Sequence, residues 1–121
     1  METNDNIIRR FLNALRNLDA DELIEYFIED ATYHNIPLPI LSGRNVIYEN
    51  LKGWPKRFRT IEVEILNQIG LGDIVVNERI DTISFAGRKA ILPVAGVFVM
   101  SQGKIKEWRD YFDLNTFKGV P

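Results

Sequence analysis

The chain has 121 residues, 45% of them hydrophobic and 26% charged, and its fifteen basic and seventeen acidic side chains give a net charge of −2. That length fits a single domain, residues 1–121, and the charge balance lacks the basic footprint of a nucleic-acid binder. The absence of cysteine excludes disulfides, thiolate catalysis and cysteine-ligated zinc, and no apolar run is long enough for a membrane span.

From Thr3 to Asp5, residues able to cap a helix, the chain passes into Ile7, Ile8, Phe11, Leu12, Leu15 and Leu18 at helical spacing. Asp19 followed by Glu22 has the spacing of a capping box and opens a short second helix, with Leu23, Ile24 and Phe27 on its buried side. "ATYHNIPLP" is a short extended piece that runs into prolines. "SGRNVIYENLKGWP" reads as a third helix, with Ser42 as cap, Gly53 at its end and Pro55 beyond. Met1 leads into polar residues and not into a signal peptide, so the expected location is the cytoplasm.

The second half changes period. Ile61, Val63, Ile65, Asn67 and Ile69 alternate with Glu62, Glu64, Leu66 and Gln68. "GLGD" turns the chain into a long strand over 73–86, "AGRK" makes a hairpin into 89–100, and "SQGK" makes another into 104–114. Helices first and a meander of strands after define an α+β class. The natural packing is a curved, mixed but mostly antiparallel sheet wrapped around the N-terminal helices, with a conical cavity inside. Pro93 marks an edge or a bulge. The 89–100 strand is apolar on both faces, so helices are expected to cover one and a second subunit the other.

Chemistry enters at "NERIDTI". One strand face carries Val75, Asn77, Arg79, Asp81, Ile83 and Phe85, with a cation and a carboxylate in a row that otherwise suits a core. In "EWRDYFDL", Asp110 is the polar residue in the row Trp108, Asp110, Phe112, Leu114. A buried carboxylate without a partner costs several kcal/mol, and a planar guanidinium can bond two carboxylates at once. An Asp110–Arg79–Asp81 cluster follows. A purely structural ion-pair network satisfies the same residues. The charges sum to zero only if one Asp keeps its proton, and a neutral site holding one acid and one base is equipped for concerted proton transfer. In "TYHNIP", Tyr33 and Asn35 point one way and His34, the lone histidine, the other. With Asp110, the first two can grip a water at three points; the alternative is that they satisfy backbone groups in a proline-rich turn. Leu12, Leu15, Ile83, Leu92, Val94, Phe112 and Phe117 face inward, as core or as an apolar pocket.

"YHN", "ERID" and "WRDYFDL", with the flanking "LIEYFIEDATYHNIPLPILSGR" and "GVF…GKI", resemble the limonene-1,2-epoxide hydrolase family over nearly the whole chain, which is shorter at its N-terminus than longer members. The resemblance implies a cone of the nuclear-transport-factor-like (cystatin-like) type, a homodimer, no cofactor and no metal. It implies one-step hydrolysis of an epoxide to a vicinal diol, with water as the second substrate. Carried over by position, Asp110 is the general base, Tyr33 and Asn35 hold the water, Asp81 protonates the epoxide oxygen and Arg79 bridges the carboxylates. The inward apolar residues then favour a terpene-like or cycloalkene oxide. A ketosteroid-isomerase-like or polyketide-cyclase-like enzyme, or a non-catalytic binding module on the same cone, remains the alternative. None of these needs an arginine between two carboxylates.

Overall fold

The computed structural model describes residues 2–117, the side chain of Phe117 excepted. Helix α1 (Asn4–Ala14) begins where the extended backbone of Thr3 lets its hydroxyl accept from the Asn6 N–H, one of the amides a helix start leaves unpaired. Ile7, Ile8, Phe11 and Leu12 recur every third or fourth residue and are all buried. A 3-10 turn (Leu15–Asn17) and a left-handed Leu18 end this segment. Asp19 caps α2 (Ala20–Ile24) through the Asp21 and Glu22 amides, but the Glu22 carboxylate turns to the Asn17 amide, so the reciprocal half of the capping box is not made.

Helix α2 stops at Ile24, and Phe27 is buried from strand β1 (Phe27–Ile36) instead of from the helix. Strand β1 starts earlier than its sequence shows. Its ladder is interrupted between Phe27 and Thr32, where the exposed pair Glu29 and Asp30 breaks the alternation. Strand β2 (Leu41–Ser42) takes up Ser42, so the cap position of α3 (Arg44–Lys52) falls to Gly43 at φ +98°, where a β-carbon would strain the backbone. Pro55 does more than end α3. It sits in the first turn of a further short helix, α4 (Trp54–Arg57), where its missing N–H costs nothing.

Strands β3 (Thr60–Leu71), β4 (Ile74–Phe85), β5 (Arg88–Ser101) and β6 (Lys104–Tyr111) complete a six-stranded sheet of order β2-β1-β6-β5-β4-β3. Among the described residues, only the β1–β6 pairing is parallel. The expected α+β class, with a mixed and mostly antiparallel sheet curved around N-terminal helices, is what the chain forms. Strand β6 ends at Tyr111, short of the expected 114, and a 3-10 turn (Leu114–Phe117) follows against β5. Pairing of β5 with β6 begins at Ala95, so Pro93 lies on a stretch of β5 flanked by β4 alone. An interior strand thus offers a locally free edge to a residue that cannot donate.

One irregularity changes which residues face inward. Ile65 pairs with Arg79, but the next pair is Asn67 with Glu78, leaving Leu66 as the extra residue of a bulge. Beyond it Gln68, not Asn67, stands opposite Asn77 on the inner side, and Ile69 turns out, 73% exposed. The inner rows of the sheet join α1, α2 and α3 in one core that includes Phe11, Phe27, Phe98 and Trp108. On the outer face Ile91 is 61% exposed, so the described residues leave that side of β5 uncovered there. No helix of the described residues is long and apolar enough to cross a membrane.

Candidate active site

Arg79 is fully buried in the middle of β4, and its guanidinium is anchored along three edges. Nε donates to Asp81 Oδ1 at 2.9 Å and Nη2 to Asp81 Oδ2 at 3.1 Å, the parallel fork that only a planar cation can make. Nη2 also donates to Asp110 Oδ2 at 2.5 Å, and Nη1 donates to Asn77 Oδ1 at 3.0 Å. Strand alternation puts Asn77, Arg79 and Asp81 on one face. Register brings Asp110 to them, because Asn77 on β4, Gly96 on β5 and Asp110 on β6 stand side by side. Gly96 is the floor of this arrangement. A β-carbon there would collide with Arg79 Nη1 and crowd Asn77 Oδ1 and Asp110 Oδ1.

The other oxygen of Asp110, Oδ1, accepts from Trp108 Nε1 at 2.7 Å. Both carboxylate oxygens are therefore held, and the plane of the group is fixed. Trp108 is itself fixed by aromatic packing: Tyr33 stacks on it at 4.0 Å, and Phe11 meets it edge-on at 5.0 Å. The parallel β1–β6 register sets Tyr33 beside Trp108 and Asn35 beside Asp110. Asn35 Nδ2 donates to the Tyr33 hydroxyl at 2.9 Å. That bond uses a lone pair of Tyr33 and leaves its proton available to donate, while Asn35 Oδ1 remains available to accept. His34 lies half-buried on the opposite face, across from Arg109.

Burial raises the pKa of Asp81, and the nearby charge of Asp110 adds to it; together they outweigh the lowering effect of Arg79. Burial works against the charge on Arg79, but Asp110 and Asp81 more than offset it and hold the arginine protonated. Burial, then the charge of Asp110, pushes Tyr33 above its ordinary value, so it stays a hydroxyl donor. With Asp81 protonated, the trio of one cation, one carboxylate and one carboxyl is neutral.

Tyr33, Asn35, Asp81, Trp108 and Asp110 all open onto a cavity of about 710 Å³. Of the apolar residues expected there, Leu15, Ile83, Leu92, Val94 and Phe112 line it. Leu12 does not: at 1% exposure it packs in the core beneath α1, because its position on the helix face points it at other core side chains. The side chain of Phe117 lies outside the described residues. Trp54 and Phe58, from α4 and the segment after it, add aromatic walls that strand alternation did not reveal, and Phe85, from the inward row of β4, adds another. Trp108, Asn77 and Gly96 were also missed as contributors. The signal for the first two was spacing of two residues from Asp110 and Arg79 on the same faces; for Gly96 it was only register. Among the described residues, no group of three or more His, Asp or Glu side chains is placed to hold a metal.

The family model of the limonene-1,2-epoxide hydrolase catalytic domain matches residues 2–120. Epoxide hydrolase EphG of Mycobacterium tuberculosis is 34% identical over 115 residues, covering 93% of this chain and 76% of that protein. The solved structure of an M. tuberculosis LEH-like epoxide hydrolase superposes with a TM-score of 0.86 at 31% identity, covering 97% of this chain and 88% of that one. A protein with a ketosteroid isomerase-like fold from Catenulispora acidiphila, solved with trimethylamine, superposes at 0.84 with 20% identity over 94% of this chain and 90% of its own, a likeness of fold alone.

Proposed function

Since the chain belongs to the limonene-1,2-epoxide hydrolase family and is an epoxide hydrolase, we propose that it opens an apolar epoxide to a vicinal diol in one step, with water attacking directly. The observation that carries this reading is the bridge of Arg79 between Asp81 and Asp110 on the wall of an apolar cavity. Tyr33 donates to the attacking water and Asn35 accepts from it. Asp110 takes the water's other proton as the oxygen bonds to an epoxide carbon. The carbon–oxygen bond of the ring breaks, and Asp81 gives its proton to the departing oxygen. Afterwards Asp110 holds a proton and Asp81 is charged. The site is neutral before and after, and Arg79 touches the charge in both states. An isomerase on this fold needs one base and oxyanion donors, and a binding module needs no acid paired with a base; the shared cation favours hydrolysis over both. We further read the bare outer sheet face as the seat of a second copy of the chain.

The route is tested by a single turnover with enzyme in excess in water enriched in heavy oxygen. Direct attack puts the label in the first diol and none in the protein. A carboxylate nucleophile would give an unlabelled first diol and leave the label on the peptide containing Asp110 or Asp81. That outcome rules out the direct route.

A further inference from the structure

We propose that Asn77 is a positioning residue for Arg79, itself held in the required orientation by Gln68 and Asp5, so that a chain of amides reaches from the first turn of α1 to the bridging arginine. The proposal rests on the bridging role given to Arg79 above.

Asn77 is 3% exposed and does not line the cavity, so it touches no substrate. A buried inward position next to Val75 is natural for an apolar side chain, and a polar one there needs a reason. The reason is the third edge of the guanidinium. Asp81 and Asp110 pull on Nε and Nη2, and Asn77 Oδ1 alone takes Nη1 among the described residues. Two carboxylate partners leave the plane of the cation able to tilt between them; a third contact on the opposite nitrogen fixes it.

An amide can serve only if its oxygen faces Arg79, since its NH2 would set donor against donor. Three bonds dictate that orientation. Asn77 Nδ2 donates to Gln68 Oε1 at 3.1 Å. Gln68 Nε2 donates to Asp5 Oδ1 at 2.9 Å and to the Asp5 backbone carbonyl at 3.0 Å. Both groups of Asp5 are acceptors only. Gln68 must therefore turn its oxygen to Asn77, and Asn77 its oxygen to Arg79. The Gln68 bond, and then the ion pair from Arg9 to Asp5 Oδ2 at 3.1 Å, hold the Asp5 carboxyl below its usual pKa and keep it an acceptor. The β3 bulge makes the chain of bonds feasible: without the extra Leu66, Gln68 would point out of the sheet.

The test compares Asn77→Leu, Gln68→Leu and the double variant, each checked for fold by circular dichroism. Leucine nearly keeps the shape and removes the hydrogen bonds. Asn77→Leu is expected to lower kcat about tenfold with KM within about twofold, the signature of a loss felt in the transition state and not in binding. Gln68→Leu is expected to lower kcat about threefold with the same split, and the double variant to match Asn77→Leu alone, because the chain is already broken. A purely structural role would lower the melting temperature and leave kcat of the folded protein unchanged. A folded Asn77→Leu with wild-type kcat, or losses that multiply in the double variant, overturns the proposal. If Asn77→Leu does not fold, Gln68→Leu decides: unchanged kcat overturns, a lowered kcat at constant KM supports. Arg79→Lys is assayed alongside. Full activity there defeats the bridging role itself, whereas an inactive Arg79→Lys beside a fully active Asn77→Leu defeats the relay alone.

Discussion

A proton on Asp81 is held more tightly than on an ordinary carboxylate although the side chain is forked onto an arginine, against the usual effect of such a pair. Two opposing influences decide the outcome. The guanidinium favours the carboxylate, but burial and the neighbouring charge of Asp110 disfavour it more, and the net shift is upward. If that proton goes to the epoxide oxygen, kcat/KM persists above the ordinary carboxylate range and falls as pH rises through the raised Asp81 value. Stability carries the same sign. A carboxyl that binds its proton more tightly folded than unfolded contributes fully below the unfolded pKa, and the contribution is lost as pH rises through the folded one. Activity and melting temperature should thus decline over one shared interval. Asp81→Asn should cost at least about 10²-fold in kcat, the scale of general acid catalysis, and should remove that part of the melting slope. A rate that stays flat well into alkaline pH with the protein still folded would show that no protonated Asp81 is needed.

Strand alternation delivered most of the candidate site from the sequence: Arg79 and Asp81 on one face of β4, Asp110 on a face of β6, Tyr33 and Asn35 together on β1. Alternation fixes which face a residue takes, but not what stands beside it. Register decides that, and here it is what puts Gly96 between Asn77 and Asp110. In the sequence Gly96 is only a small residue in an apolar strand. The bulge at Leu66 was hidden for a related reason: Asn67 and Gln68 are both polar, so a slip of one residue leaves the pattern looking the same. Ser42 and Gly43 were likewise hard to tell apart as a cap, because Ser42 is claimed by a two-residue strand that depends on β1. Gly96→Ala tests how much register matters. A methyl group normally helps a strand by roughly 0.5–1 kcal/mol relative to glycine. Here it would collide with Arg79 Nη1, and the arginine, fully buried and bonded to three partners, has no other place to go. The expected result is a folded protein by circular dichroism with kcat down at least about 10²-fold. Near-normal turnover would mean that the guanidinium can shift without consequence.

The whole molecule uses the two faces of one sheet differently. The inner face turns from core to charged cluster along a single strand, while the outer face carries an exposed apolar patch at one end. Register aligns Leu71, Ile74 and Val99 in one outward row and Ile69, Val76 and Val97 in the next, across β3, β4 and β5. Leu71 is 83% exposed and Ile69 73%. On β6 the same rows end in Glu107 and Arg109, ion-paired at 2.7 Å, so the patch has a polar rim. A contiguous apolar patch with such a rim is the form of a protein interface, and single scattered hydrophobics are not. A second copy of this chain fits it without requiring any other partner, since a two-fold contact matches the patch with itself. Sedimentation equilibrium at micromolar concentration should therefore give the mass of two chains. Val76→Glu, near the middle of the patch, should give the mass of one, because a carboxylate buried there without a partner costs several kcal/mol. The side chains proposed for catalysis all come from one chain, and Val76 points away from them, so the single-chain variant should still form diol. A wild-type protein that sediments as one chain would leave the outer face without the proposed partner. A Val76→Glu variant that still sediments as two chains would place the contact elsewhere.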